Sequence, residues 1–161
     1  MSIKKPKTKE MKTILLLLIP LMSFSQLRIS TEVDPRNAVF GSDVNEAAYD
    51  GTFSLGYRIQ DFQAQATYET FKEIGFRSYM IHAGKVLNSE GKFNYVLLGG
   101  IGMIERNVNW LNIVWHPSVS FSIQTEYHLG RIFLTARPEI RYRGDLKNFI
   151  ASGYVGIGVN L

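Results

Sequence analysis

The residues best suited to chemistry are few. The chain has three histidines, His82, His116 and His128, and no cysteine, so thiolate nucleophiles and zinc–thiolate centres are excluded. The histidines fall in a predicted strand, a long loop and a turn, a distribution that argues against a shared metal site. Ser78 and His82 share one strand face four residues apart, which separates them by roughly 13 Å, too far for a nucleophile to touch its base. Asp43, Asn45, Glu46 and Asp50 offer clustered oxygens to a hard cation, but their spacing matches no EF-hand loop and they read as solvated loop acids. Gly99, Gly100, Gly102, Gly153, Gly156 and Gly158 follow no strand-to-helix phosphate loop; they suit strands that must curve. The expectation is no catalytic residue, no metal and no cofactor.

What remains is charge. Arg28, Glu32, Arg58, Glu69, Glu126, Arg137, Glu139 and Arg141 alternate with apolar residues along predicted strands, and their mixed signs allow them to neutralise one another in an enclosed space. Arg143, the outermost of the arginines that follow Arg137, could hold a phosphate such as that of lipopolysaccharide, because guanidinium binds phosphate bidentately. For Arg137 and Arg141, pairing with glutamates across an interior, such as Glu126 and Glu69, is the simpler expectation.

Those charges need elements to hold them. In residues 119–127, Val119, Phe121, Ile123 and Tyr127 point one way, with Ser118, Ser120, Ser122, Gln124 and Glu126 opposite, the period-two signature of a strand. Ile132, Leu134, Ala136, Pro138, Ile140 and Tyr142 then oppose Arg131, Thr135, Arg137, Glu139 and Arg141, and a last segment alternates from Phe149 to Leu161. With candidates at 27–33, 51–59, 62–71, 76–87 and 93–105, eight strands are expected, an even number suited to a closed antiparallel meander. Connections at 60–61, 88–92 and 128–130 are tight; those at 34–50 and 106–116 are long. Phe40, Trp110 and Trp115 in these long loops form an apolar surface expected to meet lipid or a protein partner.

The amino terminus carries Lys4, Lys5, Lys7, Lys9 and Lys12 before an apolar run at residues 14–22. A run of this length is short of the about 20 residues a spanning helix needs, and Pro20 interrupts it. It reads as a secretion leader cleaved after Ser25, with Met1 or Met11 as start. One domain, residues 26–161, would follow. Removing five lysines and one glutamate from 18 basic and 14 acidic side chains leaves equal numbers of each, so the pI near 9.3 belongs to the leader and nucleic-acid binding loses its electrostatic support.

Alternation alone cannot say which face meets water, since a lipocalin-like barrel buries its apolar face and a membrane barrel its polar one. Phe62, Tyr68, Phe93, Tyr95, Tyr127, Tyr142 and Phe149 cluster near strand ends, as interfacial girdles do. Tyr154, Gly156, Val159 and Leu161 resemble, in spacing, the carboxyl-terminal insertion signal of bacterial outer-membrane barrels, although the final residue there is usually aromatic. Over most of its length the chain resembles the small OmpA/OmpX-type barrels, and its leader ending Ser-Phe-Ser-Gln resembles those of Bacteroidota. The resemblance implies an all-β, eight-stranded antiparallel up-and-down transmembrane β-barrel with a side-chain-filled lumen. It implies a non-enzymatic structural, adhesion-type or accessory element that meets the insertion machinery and outer-membrane lipid. The alternatives are a soluble periplasmic barrel binding an apolar ligand, and a lipid-modifying outer-membrane enzyme using Ser78 and His82.

Overall fold

A computed structural model describes residues 25–35, 51–71, 75–88, 91–107 and 113–161. The strands are β1 (Ser25–Val33), β2 (Gly51–Ile59), β3 (Phe62–Phe71), β4 (Phe76–Val86), β5 (Phe93–Asn107), β6 (Ile113–Leu129), β7 (Ile132–Arg143) and β8 (Asn148–Asn160). Each pairs antiparallel with the next, and β8 returns to β1 to close a barrel. Closure satisfies the edge groups that an open sheet would leave unpaired.

Closure runs from Val33↔Val155 to Arg28↔Asn160, and Leu161 N–H donates to the Leu27 carbonyl at 2.8 Å. Gly156 stands in this seam opposite Glu32; a Cβ there would lie 2.1 Å from the Thr31 carbonyl oxygen. Gly156→Val is therefore expected to prevent closure, and the compact form that migrates fast on a gel before boiling should be lost. A normal compact band would show that the seam accommodates a side chain.

Pairing continues further than the alternation suggests. Glu105↔Trp115, Arg106↔Val114 and Asn107↔Ile113 extend the β5–β6 ladder, so Trp115 and His116 are strand residues and not loop residues, and His128 lies in β6 and not in a turn. Pro117 marks the apparent boundary, but the β6–β7 ladder begins at Ser118↔Arg143. Beyond Ser118, β6 has a neighbour on one side only, the edge setting in which proline is tolerated. Pro138 interrupts the β6–β7 ladder between Ser122↔Glu139 and Thr125↔Ala136 without shifting the register, because it removes one donor and nothing else.

The turns after β2, β4 and β6 lie at the same end as the start of β1 and the finish of β8 (the turn end). The connections after β1, β3, β5 and β7 lie at the other (the loop end). Along most strands the exposed residues are mostly apolar and the buried ones mostly polar, while β4 and β5 also send Phe76, Met80, Val86, Val96, Leu98 and Ile104 inward. Ile81 and Ile101, paired neighbours on β4 and β5, are both 67% exposed, whereas Arg137 is fully buried.

Candidate functional site

The lumen holds two layers of buried charge. Near the turn end, Glu126 on β6 is the centre. Its Oε1 lies 2.8 Å from Arg28 Nη2 and accepts from Gln124 Nε2 at 2.8 Å; its Oε2 accepts from Arg58 Nη2 at 2.8 Å and lies 3.0 Å from His128 Nε2. Gln63 Oε1 accepts from Arg28 and, at 3.1 Å, from Arg58 Nε, while the Arg28 guanidinium lies 4.2 Å from the centre of the Phe133 ring. One carboxylate thus holds two arginines, which also meet the amide oxygens of Gln63 and Asn160 and an aromatic face.

Further toward the loop end, five side chains alternate in sign: Glu32, Arg137, Glu139, Arg141 and Glu69. Arg137 donates to Glu32 Oε2 from Nε at 2.9 Å and from Nη2 at 2.6 Å, and to Glu139 from Nη1. Arg141 donates to Glu139 Oε1 from Nε at 2.6 Å and to Glu69 from Nη1. Tyr154 donates its hydroxyl hydrogen to Glu69 at 2.7 Å and sets its ring 4.5 Å from the Arg137 guanidinium. Burying each ion would cost several kcal/mol unless most of its hydrogen-bonding positions were filled; the alternating order supplies each with partners of opposite sign. The strand period supplies that order: Arg137, Glu139 and Arg141 follow every second residue on β7.

His82 lies beside these ions, fully buried, with Nδ1 3.4 Å from Thr67 Oγ1 and Nε2 3.7 Å from Glu139 Oε2. Gly100 makes room for it, since a Cβ there would be 2.3 Å from His82 Cδ2. Ser78 is equally buried and lies 3.4 Å from Arg141 Nη1. Both point into the packed interior, which gives a bilayer substrate no approach to them. Among the described residues no group of three or more His, Asp or Glu is arranged to hold a metal ion.

Arg143 is at the loop-end rim but faces inward. It donates to Asp145 from Nε at 3.1 Å and from Nη2 at 2.6 Å, and its guanidinium lies 4.5 Å from the Phe76 ring centre. The fork expected to be available to a lipopolysaccharide phosphate follows the inward parity of β7 and is engaged by the acid two residues on. Arg106 Nε also lies 3.5 Å from Asp145 Oδ2. Burial raises the Asp145 pKa, but the hydrogen bonds and charge of Arg143, with Arg106, outweigh it and hold the carboxyl below its ordinary value. A depressed folded-state pKa stabilises above the unfolded value, about 3.9 for Asp, and the gain is lost as pH falls through the lower folded value. Amide exchange in the turn at residues 144–147 is expected to quicken in that acid window, and Asp145→Asn should remove most of the change. An unaltered pH response in Asp145→Asn would refute the clasp.

Outside, aromatic residues form two bands. At the loop end Tyr68, Tyr79 and Trp115 lie in succession with ring centres 5.3 and 5.7 Å apart, and Tyr142 meets Phe149 at 5.4 Å; at the turn end Phe93 meets Tyr127 at 4.7 Å. Of the expected loop surface, Trp115 thus belongs to a strand band, while Phe40 and Trp110, like the acids 43–50 considered for calcium, lie outside the described residues. Of the carboxyl-terminal motif, Tyr154 is buried on the acids, Gly156 occupies the seam, and Val159 and Leu161 close onto β1. Glu126 pairs with Arg28 and Arg58 and not with Arg137 or Arg141, because it sits nearer the turn end. Gln63, Gln65 and Asp145 were not singled out from sequence, and His82 was weighed only as a base for Ser78; the polar alternation Gln63, Gln65, Thr67, Glu69 was the available signal.

No family model matches the chain, and no curated protein matches it. Among solved structures, the barrel is similar to the Yersinia pestis outer membrane protein Ail in a phospholipid bilayer nanodisc, with TM-score 0.59 and 13% identity over 85% of this chain and 99% of that one. It is also similar to Neisserial surface protein A, with TM-score 0.53 and 16% identity over 85% of this chain and 94% of that one. At these identities the likeness establishes the fold: eight antiparallel strands in a closed barrel, the architecture of small outer-membrane barrels.

Proposed function

We propose that the chain is a non-enzymatic integral protein of a bacterial outer membrane, exported by a leader at residues 1–25. It would serve as a structural or adhesion-type element or an accessory subunit of an envelope complex. The observation that carries this reading is the inversion of the barrel: most of its charged strand residues are buried in the interior and an apolar belt covers the exterior. Water would expose that belt at a cost of about 25 cal/mol per Å², whereas hydrocarbon matches it. Trp115 and Tyr127, in opposite aromatic bands, are twelve residues apart on β6. At about 3.3 Å per residue and a tilt of about 40° that span is about 30 Å, the thickness of a bilayer core.

The soluble alternative needs an apolar cavity inside, whereas the described lumen is filled by ions and amides together with two small packed apolar clusters, Phe71, Phe76 and Ile104 and Val86, Val96 and Leu98. An eight-stranded barrel has an interior about wide enough for its own side chains, which disfavours a pore. The ends of β8 serve, in this reading, as the signal for the insertion machinery through Tyr154, Gly156, Val159 and Leu161, and the loops carrying Phe40 and Trp110 face a protein partner. Membrane fractionation with gel electrophoresis before and after boiling tests the assignment. A membrane-bound protein whose band shifts on heating is expected; a soluble protein with an unshifted band would refute it.

A further inference from the structure

On the loop-end side of Glu126 the interior holds a small polar cavity whose walls include Arg28, Ser54, Gly56, Gln65, Gln124 and Phe133. It admits the centre of a water-sized sphere over about 10 Å³; a buried water needs about 10–15 Å³ on that measure, together with two to four polar partners.

Gln124, on β6, is buried and donates from Nε2 to Glu126 at 2.8 Å, whereas its Oε1 has no hydrogen-bond partner among the described residues. An amide oxygen shut away from water without a donor is costly, and native interiors supply one. Across the lumen, on β2, Ser54 Oγ lies 2.9 Å from Thr67 Oγ1, which lies 3.4 Å from His82 Nδ1. Gln65 lines the same cavity, and with its Oε1 accepting from Gln63 Nε2 at 2.8 Å its own Nε2 is the group it has to offer. The Arg28 guanidinium disfavours a cation here, and the Gln124 oxygen disfavours an anion. The walls suit a small neutral molecule that both donates and accepts.

We infer that the cavity is the binding site of one structural water, which donates to Gln124 Oε1 and to Ser54 Oγ. This water completes a hydrogen-bonded path from Glu126 through Gln124, Ser54 and Thr67 to His82, which stands beside Glu139. The two charge layers then form one network, in which each bond polarises the next. The site lies inside the barrel and is the same whether lipid or water surrounds it.

Nuclear Overhauser effects from water test the site in the isotope-labelled barrel refolded in detergent micelles. The Gln124 side-chain amide protons are expected to show a cross-peak to water with the sign of a long-lived contact. Gly56→Ala is the matched variant: a Cβ there would sit in ordinary contact, 3.5 Å from Gln65 Cβ and 3.6 Å from Arg28 Cβ, and would occupy the cavity. The cross-peak should disappear. Its absence in the parent would overturn the site, as would its survival in Gly56→Ala, which would assign it to exchanging serine hydroxyls. Ser54→Ala should weaken it, and an unchanged intensity would overturn the bridge to β2.

Stability supplies a second readout in which the sign matters. Gly56→Ala should lower the urea midpoint of the parent, because Gln124 Oε1 loses its donor. In a Gln124→Met background the same methyl displaces nothing that a polar atom requires, and the midpoint should rise. A change of the same sign in both backgrounds would overturn the proposal. The compact band before boiling shows which variants are folded, and the parent spectrum decides even where a variant gives no such band.

Discussion

Arg137→Met should lower the stability of the barrel by about 3–5 kcal/mol, the usual effect of removing one member of a buried ion pair. Arg137 is fully buried, and it is the bridge between Glu32 and Glu139. Methionine fills much of the volume but supplies no donor, so Glu32 loses both guanidinium contacts and keeps only hydroxyl partners, Thr135 at 3.2 Å and Thr52 at 3.4 Å. Glu139 retains Arg141. The strain should therefore concentrate on Glu32, and Glu32→Gln added to Arg137→Met should recover part of the loss, because a neutral amide is less costly to bury than an uncompensated carboxylate. Urea unfolding in lipid vesicles, followed by the gel shift, measures both. A midpoint for Arg137→Met equal to the parent's would mean that the alternating charges contribute nothing to the fold, and a double variant less stable than the single would show that the electrostatic account is wrong.

The second large effect separates lipid from water as the medium around the barrel. Phe121 is exposed on β6 midway between Trp115 and Tyr127, at the level of Gly99 and Ile140 on the neighbouring strands. In a bilayer this is the midplane, where a lipid-facing arginine costs about 2–4 kcal/mol. Phe121→Arg should accordingly reduce the yield of folded barrel in vesicles and move its urea midpoint down, while Lys85, nearer the turn end, should tolerate exchange for arginine. The same substitution on a water-exposed face would be near neutral and would improve solubility. Equal folding of Phe121→Arg and parent in vesicles would count decisively against hydrocarbon contact. The two variants probe opposite faces of one sheet, and the period-two strand makes their effects separable.

Strand number, the antiparallel meander and the side of the sheet each residue faces were written in the alternation itself. Arg137, Glu139 and Arg141 between Pro138, Ile140 and Tyr142 can point only one way together, because a strand reverses its side chain at every residue. Local pattern could not supply distances across the barrel. That Glu32 on β1 meets Arg137 on β7, and that Glu126 meets Arg28 and Arg58, depends on the register of closure and on the height of each residue above the turn end. Residues 113–116 were expected in a loop because their order does not reveal that they pair with β5 on one side only. That Arg143 meets Asp145 was not legible in the alternation because the acid is placed by a turn and not by strand period. Periodicity is a property of consecutive residues and is legible in order; pairing, height and curvature are properties of the closed cylinder, and the closed cylinder alone decided them.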